Sequence, residues 1–185
     1  MSKRFLKSDP TLSTLILVKA NELRQRLEKL ADRINRDYAD REIDLVCLSN
    51  SAMTFTADLV RLIEVPVRVH ILAFISYPKA PKSGEVRITL DVGEPLQDRH
   101  VLMVEGMIIS GRTPLYLMNL LRLRQPASIE LCAIGMKPRQ LAVELLVKYH
   151  LFEFDQEWVA GYGIGHGPEK VSGDLLNMAE DRSMN

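Results

Sequence analysis

The stretch VLMVEGMIISGRTPLY, residues 101–116, joins a buried-strand pattern to a glycine-bearing loop and a helix start. α/β proteins often hold a phosphate on such a framework. Ser110, Gly111, Arg112 and Thr113 would offer backbone N–H groups and two hydroxyls to one phosphate. Thr113 as N-cap, with Pro114 at the first helical position, makes a regular helix start. The same four residues are also compatible with nothing more than a turn and a cap. Glu105 is the only carboxylate of the stretch, and Met107, Ile108 and Ile109 stand where phosphate chemistry would want acids, hydroxyls or a lysine. Read this way, the loop is a modified site, better equipped to hold phosphate than to move protons.

The surrounding elements must position that loop. Residues 12–38 carry Ile16, Leu23, Leu27, Leu30 and Ile34 at helical spacing and predict one long amphipathic helix. IDLVCL (43–48) is a continuous apolar run, as in a strand covered on both faces. The pattern then predicts a helix over 52–64, a strand over 65–76, a polar loop over 77–84 and a strand over 85–91. HVLMVE (100–105) reads as a buried strand, 114–124 as a helix and 128–136 as a strand. Residues 138–146 could form a short helix, and two strand-like segments precede a polar, glycine-rich end. Strands alternating with helices predict an α/β fold with a mainly parallel central sheet. Ligands in such folds sit at the carboxyl ends of strands, here after Leu48, Ser76, Glu105 and Met136.

Composition narrows the partners. The 185 residues are ordinary for one domain, with 46% hydrophobic and 26% charged content. Lys plus Arg number 24 and Asp plus Glu 24, so no basic footprint points to nucleic acid or an anionic membrane. Cys47 and Cys132 lie inside apolar runs and read as buried reduced thiols. No segment has signal-peptide or membrane-span character, and a cytoplasmic location is expected. His70, His100, His150 and His166 lack metal-ligand spacing, so no metal site is predicted from them.

Taken together, five pieces resemble the hypoxanthine-guanine phosphoribosyltransferases, which are type I phosphoribosyltransferases. They are RINRDYADREIDLVCLSNSAMTFTADLVR, FISYPKAPKSGEVRI, HVLMVEGMIISGRTP, MKP at 136–138 and FEFDQEWVAGYGI at 152–164. The resemblance implies a single phosphoribosyltransferase-like domain over 1–185, with a core of about 38–147 and a small hood from about 1–37 and 148–185. It implies transfer of ribose 5-phosphate from phosphoribosyl pyrophosphate to a purine, with Mg2+ as the cofactor of an active enzyme. It also implies a homo-oligomer, dimer or tetramer.

Carried over residue by residue, the resemblance splits. Glu105 matches the first acid of the family's loop and would hold a ribose hydroxyl, while Gly106 replaces the second acid. Ile109 occupies the position of the acid/base aspartate. Ser110, Gly111, Arg112 and Thr113 fit the 5′-phosphate cradle. Asn50 and Ser51 replace a Lys-Gly pair, and Gly165 replaces an aspartate that helps place magnesium. Ser76 and Tyr77 match the residues that close over the reacting centre. Lys137 matches the lysine that reads the purine 6-oxo group, with a solvated strand-end lysine as its alternative. Trp158 matches the stacking aromatic, or is a core or interface tryptophan. Val159 would meet the base edge, and Ile164 could cover its other face. Two readings therefore stand: a purine-salvage transferase making IMP or GMP, with activity weak or absent, or a non-catalytic purine-nucleotide- or phosphate-binding regulatory or structural protein.

Overall fold

The computed structural model describes residues 15–48, 50–77, 85–155, 158–165 and 172–177. In chain order the elements are β1 (Leu15–Val18), α1 (Ala20–Asp37), β2 (Ile43–Cys47), α2 (Met53–Val60), β3 (Val67–Ile71), β4 (Ala73–Tyr77) and β5 (Glu85–Leu90). They continue with β6 (His100–Ile108), α3 (Arg112–Arg122), β7 (Ser128–Met136), a 3₁₀ turn (Pro138–Gln140), β8 (Tyr149–Glu153), β9 (Val159–Ala160) and β10 (Leu175–Asn177). A five-stranded sheet in the order β3-β2-β6-β7-β8 forms the centre, and every pairing in it is parallel. The expected α/β fold with a parallel sheet flanked by helices is present.

Strand alternation explains how one sheet serves two cores. Along β6, Leu102 and Val104 join the cluster that contains Leu23, Leu27, Leu30 and Ile34 of α1 and Phe55 and Leu59 of α2. Val101 and Met103, one residue out of phase, join the other cluster with Leu117, Met118 and Leu121 of α3. Successive strand side chains point to opposite faces, so an unbroken apolar run is what a strand covered on both sides requires. Residues of β2 are buried throughout. Truncating one fully covered leucine of the α1 stripe, such as Leu27, would cost about 2–5 kcal/mol. No helix among the described residues is long and apolar enough to cross a membrane.

The connections also create the site. β2 runs through α2 to β3 at one edge, while β6 runs through α3 to β7 in the other direction. Right-handed crossovers of opposite direction put α2 and α3 on opposite faces. A crevice therefore opens at the carboxyl ends of β2 and β6, where the two chain directions diverge.

Several expected elements are redrawn. The helix expected over 12–38 begins at Ala20, because residues 15–18 pair antiparallel with β10. Ile16 matched the helical stripe by spacing alone and is exposed. The strand expected over 65–76 breaks at Leu72, which is fully buried and donates its N–H to the Cys47 carbonyl. Beyond it, β4 leaves the parallel sheet and pairs antiparallel with β5. Residues 141–147 are not helical; Leu141, Val143 and Leu145 alternate along one side and approach Gly111. α1 and β8, expected with the hood, pack with the central sheet, whereas β1, β10 and β9 form a separate three-stranded sheet. His166 and the segments 1–14 and 78–84 lie outside the described residues.

Candidate functional site

At the carboxyl end of β6 the chain turns through Ile109, Ser110 and Gly111 into α3. Gly111, at φ +73°, is the residue that caps the helix, and no side chain caps it. Thr113 is thus not the N-cap: α3 starts at Arg112, and Pro114 is its third residue. That proline remains compatible with the helix, since the first four helical N–H groups have no carbonyl partner within it. The left-handed turn is needed because the loop must fold back sharply. A Cβ built at Gly111 would meet Leu145 Cδ2 at 3.0 Å, Leu141 Cδ2 at 3.1 Å and Val143 Cγ2 at 3.2 Å. Ala142 donates its N–H to the Ser110 carbonyl at 3.0 Å, so residues 141–145 form a ledge supporting the loop.

This geometry favours an anion. The first turn of α3 contains no acidic residue. Its N–H groups and the positive end of the helix dipole face the loop, where a phosphate is stabilised. The Arg112 N–H lies 3.5 Å from Ser110 Oγ, a long contact that a better acceptor could replace. A cleft of about 480 Å³ opens here, lined among others by Ser51, Glu105, Ile109, Ser110, Gly111 and Thr113. Phe74, Met107, Ile108 and Pro114 supply its apolar walls. Its size suits a small-molecule ligand.

Glu105 is the carboxylate of that cleft and is buried. Its Oε1 accepts the Gly106 N–H at 2.8 Å and the Ser51 hydroxyl at 3.3 Å. Ile109, at the position the resemblance gives to an acid/base aspartate, lines the cleft and is 46% exposed. A hydrocarbon there neither donates nor accepts a proton.

The residues expected to read the purine are placed differently. Lys137 is only 3% exposed, so the solvated-lysine alternative fails. Its backbone N–H is donated to the carbonyl of Ile108, which ties the end of β7 to the cleft. Trp158 is 56% exposed, so it is not a core tryptophan. Val159 lies in β9, and Ile164 is buried in the core cluster that α1 covers. None of these four lines the cleft. The turn that follows β9 does reach the site: a Cβ on Gly163 would lie 3.1 Å from the Ser51 carbonyl oxygen. Ser76 and Tyr77 end β4, opposite Val86 and Glu85.

Sequence reasoning missed three contributors. Ser51 stands out in the sequence only as a departure from Lys-Gly, yet it forms a wall of the cleft and contacts Glu105. Phe74 belongs to a strand with no distinguishing pattern. The 141–145 ledge did leave a signal, because Leu141, Val143, Leu145 and Val147 alternate with period two.

A second cleft, of about 410 Å³, lies between α1, α2 and Tyr162. Four of its polar side chains pair with one another: Tyr162 donates to Asp58 at 2.6 Å, and Arg24 donates to Glu28 at 3.2 Å. Burial, and then the Asp58 carboxylate, push the Tyr162 phenol far above its ordinary value.

Magnesium needs a near-octahedral set of oxygens, which proteins usually provide as carboxylates alongside substrate phosphates. Among the described residues no cluster of three His, Cys, Asp or Glu could hold a metal ion. The cleft offers Glu105, one of whose oxygens already accepts two hydrogen bonds. These residues do not fit a protein-held magnesium ion.

Fold, loop and cleft together define a nucleotide- or phosphate-handling α/β protein, and the relatives specify which. The chain belongs to the phosphoribosyl transferase domain family, whose pattern matches residues 14–165. It is 34% identical over 155 residues to the hypoxanthine phosphoribosyltransferase of Haemophilus influenzae, covering 82% of this chain and 87% of that one. It is 33% identical over 165 residues to the hypoxanthine-guanine phosphoribosyltransferase of Leishmania donovani, covering 84% and 78%. Among solved structures, the hypoxanthine phosphoribosyltransferase of Trypanosoma cruzi, seen in a ternary complex with substrates, superposes with a TM-score of 0.83 at 28% identity. That match covers 89% of this chain and 94% of the other. The resemblance drawn from the sequence motifs is therefore correct at the level of the family.

Proposed function

We propose that this protein recognises a purine nucleotide in the manner of the purine-salvage phosphoribosyltransferases, with phosphoribosyl transfer weak or absent. The N–H groups of Ser110–Thr113 hold the 5′-phosphate, with Arg112 flanking them. Glu105 accepts from a ribose hydroxyl. Lys137, Trp158 and Val159 orient the base once the segments carrying them close on the ligand, with Ile164 behind them. Ser76 and Tyr77 lead into the loop that covers it.

The observation that carries this reading is the composition of one cleft. A left-handed turn at Gly111 shares it with Ile109, which cannot exchange a proton, and, among the described residues, with one carboxylate already hydrogen-bonded. A missing general acid/base commonly removes about 10²–10⁴ in rate. Positioning of substrates can leave residual turnover, which would then depend on Mg2+ brought in with phosphoribosyl pyrophosphate. A cytoplasmic setting agrees with two buried cysteines that form no disulfide. Assembly with a second copy belongs to the same proposal, since edge strand β3 exposes Val69 and Ile71.

The test is calorimetric titration with IMP, GMP and phosphoribosyl pyrophosphate, with and without magnesium, beside a hypoxanthine and guanine turnover assay. Nucleotide binding with little turnover is expected. Absence of all binding would refute the reading, and rapid turnover would show that another group has replaced the acid/base.

A further inference from the structure

Among the described residues, positive φ outside glycine occurs at Asp40, Asp98, Gln125 and Tyr162. The first three are exposed, and Asp is one of the side chains that tolerates left-handed backbone. Tyr162 differs, because it is buried and a bulky side chain rarely takes this conformation. Its φ is +50°, and that of Gly163 is +92°. Ile164 donates its N–H to the Gly161 carbonyl at 2.9 Å, which closes a two-residue hairpin turn of type I′. Such a turn usually carries Asn or Asp first and Gly second. A tyrosine there opposes the local preference, so contacts outside the turn must hold it.

Those contacts are visible on both sides. The Tyr162 phenol donates to Asp58 Oδ2 of α2 at 2.6 Å, and its backbone N–H donates to the Ser172 carbonyl at 2.7 Å. A Cβ on Gly163 would lie 3.0 Å from Thr54 Oγ1 and 3.1 Å from the Ser51 carbonyl oxygen, so the tip of the turn rests on the start of α2. A Cβ on Gly161 would overlap the carbonyl oxygen of Asp174. The Asp174 carboxylate in turn accepts the Ala20 N–H at the start of α1, at 2.7 Å. The turn is therefore gripped between residues 172–174 and α2. Ser51, where the tip rests, walls the cleft, and Trp158 and Val159 lie just before the turn.

We infer that Tyr162 is a positioning residue for the base half of the ligand: clamped by Asp58, it holds the 158–164 segment against α2 before a nucleotide arrives. The inference rests on the nucleotide reading above, which gives the base to Trp158 and Val159. Tyr162 acts through these neighbours. A segment ordered in advance loses less freedom on binding, and the affinity gains accordingly. The turn at Gly111 leads into α3, on the opposite face of the sheet from α2, so phosphate binding should not respond to the clamp.

Calorimetry on the full chain tests this with IMP and with ribose 5-phosphate, which keeps the sugar and phosphate but lacks the base. Ribose 5-phosphate is measured as a competitor of IMP. The variants are Tyr162→Phe, Asp58→Ala and the two combined. Tyr162→Phe retains the buried ring and deletes only the hydroxyl. Each single change is expected to weaken IMP roughly 3–10-fold, and the double change no more than the larger single one, because both remove the same bond. Affinity for ribose 5-phosphate should stay at the parent value.

Three results overturn the inference. Parent-like IMP binding by Tyr162→Phe would mean that the ring matters only as packing. Equal losses for both ligands would mean a general loosening of the fold. Losses that add in the double variant would mean that Tyr162 and Asp58 act separately. Either single variant decides alone if the other fails to fold. If the parent itself binds neither ligand, the nucleotide reading fails and the positioning role with it.

Discussion

The two ends of the parallel sheet treat charge in opposite ways. Toward the amino ends, Asp44 of β2 is only 1% exposed and lies among Arg99, Arg68 and His70. Its carboxylate accepts from Arg99 Nε at 2.6 Å, from His70 Nε2 at 2.8 Å and from Arg68 Nε at 3.2 Å. Glu42 adds an ion pair to Arg99 at 2.8 Å, and Glu94 one to Arg68 at 3.5 Å. At the carboxyl ends the cleft holds one carboxylate among apolar walls, partnered by a backbone N–H and a hydroxyl. A buried charge is tolerated only where partners offset its desolvation. The amino end keeps its acid because two guanidinium groups and an imidazole surround it. The carboxyl end presents Gly106 and Ile109 at positions where the resemblance implies acids.

The largest expected effect tests the neutral end. Side by side with the Haemophilus influenzae relative, hypoxanthine phosphoribosyl transfer by this protein should be at least about 10²-fold slower. Placing Asp at 109 alone should recover little, because a proton relay helps only when the substrate is correctly placed. Asp at 106 and 109 together with Gly at 51 should exceed the sum of the separate changes. Comparable turnover by the parent protein would erase the contrast between the two ends.

The charged end answers to stability. Asp44→Asn should destabilise the fold by about 2–4 kcal/mol, read from denaturant unfolding, because Arg99, Arg68 and His70 lose a shared anion. Burial raises the Asp44 pKa, but the hydrogen bonds from His70 and Arg99, with the charges of Arg99 and Arg68, outweigh it, and the net shift is downward. A carboxylate depressed in the folded state stabilises fully above its unfolded value, near the ordinary 3.8, and loses that contribution as pH falls through its folded pKa. Parent stability should therefore decline in this acid window, and Asp44→Asn should remove that part of the decline. Identical acid profiles would show that Asp44 is not the controlling group.

Smaller effects probe the ligand end. Gly111→Ala should weaken IMP binding and cost about 1 kcal/mol of stability, since φ +73° disfavours any Cβ and the leucine ledge crowds it. Unchanged IMP affinity in a folded variant would make the turn merely a connector. Trp158→Ala should reduce purine affinity by about 0.5–1.5 kcal/mol and leave the melting temperature unchanged, as expected of a stacking ring that is exposed in the free protein. A fall in melting temperature without loss of affinity would return Trp158 to a structural role.

Much of this was readable from local pattern. The unbroken apolar runs of 43–48 and 100–105 imply doubly covered strands, and SGRT before a leucine-rich segment implies a glycine turn into a helix. Both depend on neighbours a few residues away, where periodicity and glycine carry information. The boundaries that failed lack such punctuation: nothing between Ile71 and Ala73 marks the change of sheet, and Ile16 fits a helical stripe that the chain does not continue.

The sequence by itself determined the family, the identity of the groups in the loop and the absence of an acid at 109, because these are properties of residue type and order. Only the tertiary structure decided that Lys137 is buried, that Trp158 is exposed, and that Leu141–Leu145 support Gly111. It alone placed Ser51 against Gly106, 55 positions apart in the numbering. The reason is physical: parallel pairing of β2 with β6 brings their carboxyl ends side by side, and whether two residues there can coexist depends on tenths of an ångström between atoms.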